Sequence, residues 1–84
     1  MNRCFLTGKV INNVQFEFMI DPNHNSISII EVILTNKTQI QLIAYDELAD
    51  FCYQKLKVEN VIFIEGYLES ENQIEIITIR KIEQ

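Results

Sequence analysis

Apolar and polar residues alternate with a period of two along most of this chain, and only one stretch breaks that rhythm. Cys4, Leu6, Gly8 and Val10 fall on one face of a strand beginning at Met1 and running to Ile11, with Arg3, Phe5, Thr7 and Lys9 on the other. After a break at Asn12-Asn13, Val14, Phe16, Phe18 and Ile20 resume the alternation against Gln15, Glu17 and Met19. Together these halves predict one long, bent first strand. Gly8 is expected to mark a bend or bulge, and Phe16 and Phe18 to fill the interior.

Asp21 to Ser26, with a proline and several Asx residues, reads as a loop. Ile27 to Thr35 is a strand with apolar residues on both faces, interrupted by Ser28 and Glu31. A tight hairpin follows at Thr35 to Thr38, in which Asn36 suits a positive φ. The next strand, Thr38 to Tyr45, sets Gln39, Gln41 and Tyr45 against Ile40, Leu42 and Ala44. From Asp46 to Leu56 the period changes: Leu48, Phe51, Cys52 and Leu56 share one face of a helix. Asp46 is placed to cap it, Glu47 and Asp50 to meet its positive end, and Lys55 and Lys57 its negative end.

Beyond a turn at Glu59-Asn60, a fourth strand covers Val61 to Leu68, with Phe63 and Tyr67 on one face. A polar, acidic loop spans Glu69 to Gln73. The last strand is Ile74 to Ile82, with Ile74, Ile76, Thr78, Arg80 and Ile82 on one side and Ile77, Ile79 and Lys81 on the other. Five strands with a short helix between the third and fourth predict a mostly β fold, a five-stranded Greek-key OB-fold barrel. At 84 residues the chain makes a single domain, residues 1–84, near the lower limit for a self-sufficient core.

Composition narrows the function classes. With 48% hydrophobic residues the chain is globular. No apolar run approaches membrane-spanning length, and no signal or transit segment is visible. Two distant cysteines read as buried thiols, and with His24 alone beside them they build no zinc site. There is no Ser-His-acid set, no carboxylate cluster outside loop and cap, and no phosphate-cradling loop, the only glycines being Gly8 and Gly66. A non-enzymatic protein without cofactor or small-molecule substrate is expected. Twelve acids against seven bases give a net charge of -5, which argues against charge-driven nucleic-acid binding and leaves base stacking open. His24, in an Asx-rich loop, reads as a surface residue. The apolar excess on both faces of several strands predicts a partner surface, most simply a homodimer.

Three segments carry a family resemblance. Asn2-Arg3-Cys4-Phe5-Leu6-Thr7-Gly8-Lys9-Val10 is similar to the opening strand of bacterial single-stranded DNA-binding proteins. Ile43-Ala44-Tyr45-Asp46-Glu47-Leu48-Ala49-Asp50 resembles their strand-to-helix junction, and Val61 to Leu68, ending Glu65-Gly66-Tyr67-Leu68, their fourth strand. The compact length resembles primosomal replication protein B and the small plastid-encoded members of this family in algae.

The resemblance implies a protein that holds unpaired DNA strands in replication, recombination or repair, by stacking more than by charge. Tyr45 falls where the family has a stacking phenylalanine, and Gln39 where it has a tryptophan. The expected DNA contacts are Tyr45, Gln39, Gln41 and Lys37, joined by a basic strip of Arg3, Lys9, Arg80 and Lys81; Phe63 and Tyr67 are expected to pack in the core or a subunit contact, with a second stacking platform as the alternative. Pairing through the first strand is the implied dimer contact. The alternative is an OB-fold protein-protein adaptor that has lost nucleic acid. Abundant isoleucine and asparagine fit a plastid, for a plastid-encoded chain, or otherwise a bacterial cytoplasm.

Overall fold

The computed structural model describes residues 2–82. Met1, the expected start of the first strand, lies outside them. The elements are β1 (Arg3–Val10), β2 (Gln15–Phe18), β3 (Ser26–Ile33), β4 (Gln39–Tyr45), α1 (Asp46–Lys55), β5 (Val61–Ser70) and β6 (Gln73–Ile82). In the sheet the strands are ordered β1-β5-β6-β4-β3-β2, and a further β1–β3 pairing closes it into a barrel. All neighbours are antiparallel except β4 and β6. This is the five-stranded OB barrel with its helix after the strand that ends at Tyr45.

The bent first strand is divided in two. β1 meets β3 at Lys9↔Ile33 and Val10↔Val32, and β2 continues along β3 from Gln15↔Ile29 to Phe18↔Ser26. Four residues of the first segment, 11–14, stand opposite only two of β3, which breaks the ladder at the asparagines. Gly8 carries no bulge: its register with Ile62 is regular. Its need is space, because a Cβ there would lie 3.1 Å from Val32.

Val10, Ile30, Val32, Leu42, Ala44, Ile62, Ile64, Ile74 and Ile76 fill the barrel, and Cys52 of α1 and Leu56 just after it seal one end. The strand pattern is visible in β3, where burial alternates at every residue. Ser28 belongs to that inward row, and its buried hydroxyl donates to the Ala49 carbonyl of α1 at 2.8 Å. A polar core residue is thereby satisfied and the helix is tied to the sheet.

Four local expectations are corrected by packing. Phe16 and Phe18 do not fill the barrel. They lie outside it, Phe16 edge-on to Phe18 and stacked on Tyr53 of α1 at 5.0 Å, with Phe18 largely exposed. On α1, Ala49 is buried and Phe51, expected on the buried face, is exposed; the Ala49 carbonyl is bonded to Ser28 of β3. In the hairpin after β3 it is Lys37 that adopts positive φ (73°), while the Asn36 side chain accepts a bond from the Thr38 N–H at 3.0 Å. The acidic loop contracts as well, because β5 and β6 run through to Ser70 and Gln73.

The last strand holds a fifth correction. Glu65 pairs with Thr78 but Gly66 pairs with Ile76, so Ile77 is the extra residue of a bulge. The alternation slips there by one position. Ile74 and Ile76 point inward, while Thr78 and Arg80 point outward and Ile79 packs against the core. Arg80 therefore shares a face with Phe63, not with Ile76.

Candidate nucleic-acid interface

The outside of the barrel presents two sheet surfaces of opposite character. The first is built on β4. Gln39, Gln41, Ile43 and Tyr45 project outward as the period requires, while Leu42 and Ala44 project inward. Across the strand pairs they meet Ile33, Glu31, Ile29 and Ile27 of β3, and Gln73 and Glu75 of β6. Gln41 is engaged: its Oε1 accepts from Gln73 Nε2 at 2.8 Å. Gln39 is exposed.

Tyr45 is half-buried and faces outward, but it does not stand alone. The His24 ring lies flat against it, with centroids 4.0 Å apart and planes 12° apart. His24 is held there by Asp46, whose carboxylate receives its Nδ1 at 2.9 Å and the Asn25 N–H at 2.6 Å. Asp46 thus does not cap the helix. The N-cap is Tyr45, without a side-chain cap bond, and Asp46 sits at φ 56°. That left-handed turn, which Asp tolerates better than most residues, swings the carboxylate toward the loop. The ring stack and the two bonds to the Asp46 carboxylate together pin the Asx loop over Tyr45.

The field around Tyr45 is negative. Burial raises its phenol above the ordinary range, and the charges of Glu75, Glu69 and Asp21 add to that rise. Glu75 itself is raised, first by burial and then by the adjoining Glu69 carboxyl. Glu31 lies opposite Gln41, and Glu17 opposite Ile27. Of the expected contacts, Lys37 is not on this wall. It lines a separate groove of about 470 Å³ with Thr7, Lys9, Ile33 and Val61.

The second surface is the outer face of β1, β5 and β6. Register places Thr7, Phe63 and Arg80 in one row, Lys9, Val61 and Ile82 in the next, and Phe5, Glu65 and Thr78 on the other side. Arg3 lies beyond them beside Tyr67. The Phe5 and Phe63 rings are stacked at 6.3 Å with 22° between planes, and Phe5 is 62% exposed. Arg3 bonds Glu65 at 3.2 Å and reaches the Tyr67 hydroxyl at 3.3 Å. A second concavity, about 400 Å³, is lined by Phe63, Arg80, Lys81 and Ile82. Lys81 belongs to its rim, since its ammonium reaches the Lys55 carbonyl at 3.5 Å.

The sequence-predicted contacts therefore divide. Arg3, Lys9 and Arg80 share one face, with Lys37 in a groove at its margin; Tyr45, Gln39 and Gln41 share another. Two participants were missed by sequence reasoning. Phe5 was visible on the same strand face as Arg3 and Lys9, a signal that could have found it. His24 offered none, because its partner is remote in the chain.

No family model matches the sequence, and no curated protein matches it either. Solved structures do resemble the fold. The SSB domain of a Synechococcus protein superposes with a TM-score of 0.82 at 14% identity, covering 95% of this chain and 94% of that one. A small single-stranded DNA-binding protein from Streptomyces coelicolor gives 0.78 at 14% identity, covering 95% and 91%. The protein priB from Ralstonia solanacearum gives 0.67 at 14% identity, covering 98% and 99%. The chain has the OB-fold architecture of single-stranded DNA-binding domains and of priB.

Proposed function

We propose that this chain is a non-enzymatic single-stranded DNA-binding module that holds unpaired strands during replication, recombination or repair. The fold alone does not assign a function. The observation that carries the reading is the exposure of aromatic rings on an outer sheet face of a closed barrel: Phe5 and Phe63 beside the bases Arg3, Lys9 and Arg80. Flat rings and nearby cations are what sequence-tolerant binding of unstacked bases requires. With a net charge of -5, stacking supplies more of the affinity than phosphate neutralisation.

The module acts as a homodimer in this reading. Among the described residues, β1 meets β3 only at Lys9 and Val10, so most of its second edge is free to pair with another copy. The compartment is the plastid for a plastid-encoded chain and otherwise the bacterial cytoplasm. Anisotropy of labelled oligo-dT at low and moderate salt tests the function. Saturable binding that weakens with salt is expected; no binding at low salt would remove the reading.

One observation favours a second reading, a protein-protein adaptor. Phe18 and Tyr53 are exposed against Phe16 at the β2 edge, forming an apolar patch, with the exposed Ile20 two residues beyond Phe18. If oligo-dT fails to bind, this patch is the surface to follow.

A further inference from the structure

Resting on the single-strand reading, we propose that the strand crosses the outer face of β1, β5 and β6, with bases on Phe5 and Phe63 and phosphates at Lys9, Arg80 and Lys37, and does not lie on the Tyr45 wall. The division of charge decides between the two surfaces. Five of the seven bases (Arg3, Lys9, Lys37, Arg80 and Lys81) lie on this face or line the two concavities that flank it. In the three rows that carry Phe5, Phe63 and Lys9 the one carboxylate, Glu65, is tied to Arg3 at 3.2 Å, and Glu75 stands beyond them, opposite Tyr67 in Arg3's row. Around Tyr45 the balance is reversed, with Glu17, Glu31, Glu69, Glu75 and Asp21 close by and His24 bound to Asp46. A polyanion laid on that wall would meet these carboxylates, of which Glu31 and Glu75 are half-buried, where like charge repels most.

Stacking geometry points the same way. One face of Tyr45 is already occupied by His24. Phe5 and Phe63 lean together at 22°, and both are exposed. Thr7, between Lys9 and Phe5 on β1 and opposite Phe63, is too small to close the lane. From the Lys37–Lys9 groove the lane leads across the phenylalanines to Arg80, so cations flank the rings on both sides.

The test is oligo-dT anisotropy at low salt on the full chain, comparing wild type, Phe5→Ala/Phe63→Ala, Arg80→Glu and Tyr45→Ala, each checked by circular dichroism. The phenylalanine pair lies outside the core and Arg80 is exposed, so both variants are expected to keep the fold. The phenylalanine double variant should weaken binding by about tenfold or more, and Arg80→Glu by a similar factor. Tyr45→Ala should stay within about threefold of wild type. Crosslinking of 5-iodouridine-substituted oligonucleotide should map to the peptides that contain Phe5 or Phe63. Loss in Tyr45→Ala with the double variant unaffected overturns the route while keeping the function. Absence of wild-type binding overturns both. A double variant that turns a dimer into a monomer yet binds normally assigns the face to a second copy and overturns the route.

Discussion

His24 lies flat on Tyr45, 4.0 Å between ring centroids, although the loop and strand that carry them are joined by no backbone pairing at these two residues. The contact is held by Asp46, the residue that follows Tyr45, through its bond to His24 Nδ1. An aromatic that sequence position marks as a base platform is also half of an internal stack. The loop it anchors, which includes Pro22, thereby acquires a fixed position over β4.

Asp46 should show its role in the acid limb of stability. Its bonds from His24 and then from the Asn25 N–H hold the carboxyl below its ordinary value of 3.8. A depressed folded value means that the stabilisation is complete above 3.8 and is lost as pH falls through the folded value. Asp46→Asn keeps a side chain suited to φ 56° and removes the charge, so it should lower the urea midpoint at pH 7, and the difference from wild type should shrink as the pH falls below 3.8. Asp46→Ala should cost about 1–2 kcal/mol more than Asp46→Asn throughout that range, because alanine fits that left-handed backbone poorly.

Gly66 should be the least replaceable residue in the chain. A Cβ there would collide with the Glu75 carbonyl oxygen and lie 2.6 Å from Ile74 Cγ2, within a bulge that cannot shift without moving two strands. Gly66→Ala is expected to destabilise by about 3 kcal/mol or to prevent folding. Gly8→Ala, which meets only the Val32 and Leu34 side chains at 3.1 to 3.4 Å, should cost about 1 kcal/mol. Urea titrations of the two variants give the comparison.

The barrel was legible because strand and helix periods are local properties, and the change of period at Asp46 locates α1 without any knowledge of tertiary contacts. What stayed hidden depends on pairing between distant segments. The slip at Ile77 exists only against Gly66, so the sequence reading put Ile76 and Arg80 on one face when the structure puts them on two. Asp46 has the composition of a cap, yet its partners lie more than twenty positions earlier. Lys9, Phe63 and Arg80 were each noticed, but their gathering on one face follows from sheet order, which no window of sequence contains.

Cys52 should be chemically silent in the native state. Burial pushes its thiol up to about 12, which leaves about one molecule in ten thousand as thiolate at pH 8. In a Cys4→Ser background, Ellman's reagent at that pH should release colour only on addition of urea, at the rate of unfolding. Prompt reaction in buffer would show that α1 opens away from the barrel end it seals.

The salt dependence of DNA binding should count the cations on the basic face. Arg3, Lys9, Lys37 and Arg80 are its candidates, and Arg3 is already neutralised in part by Glu65 at 3.2 Å. Three to four phosphate contacts predict a slope of log affinity against log salt of about −2 to −3 for a single strand. Arg80→Gln should flatten it by about 0.7. Glu65→Gln acts in the opposite direction: it frees Arg3 without removing a ring or a core side chain, so it should steepen the slope by a similar amount and tighten binding at low salt. A carboxylate removed from the Tyr45 wall, as in Glu31→Gln, offers the internal control. It changes net charge by the same single unit as Glu65→Gln, and when the strand follows the β1–β5–β6 face it leaves the slope where it was.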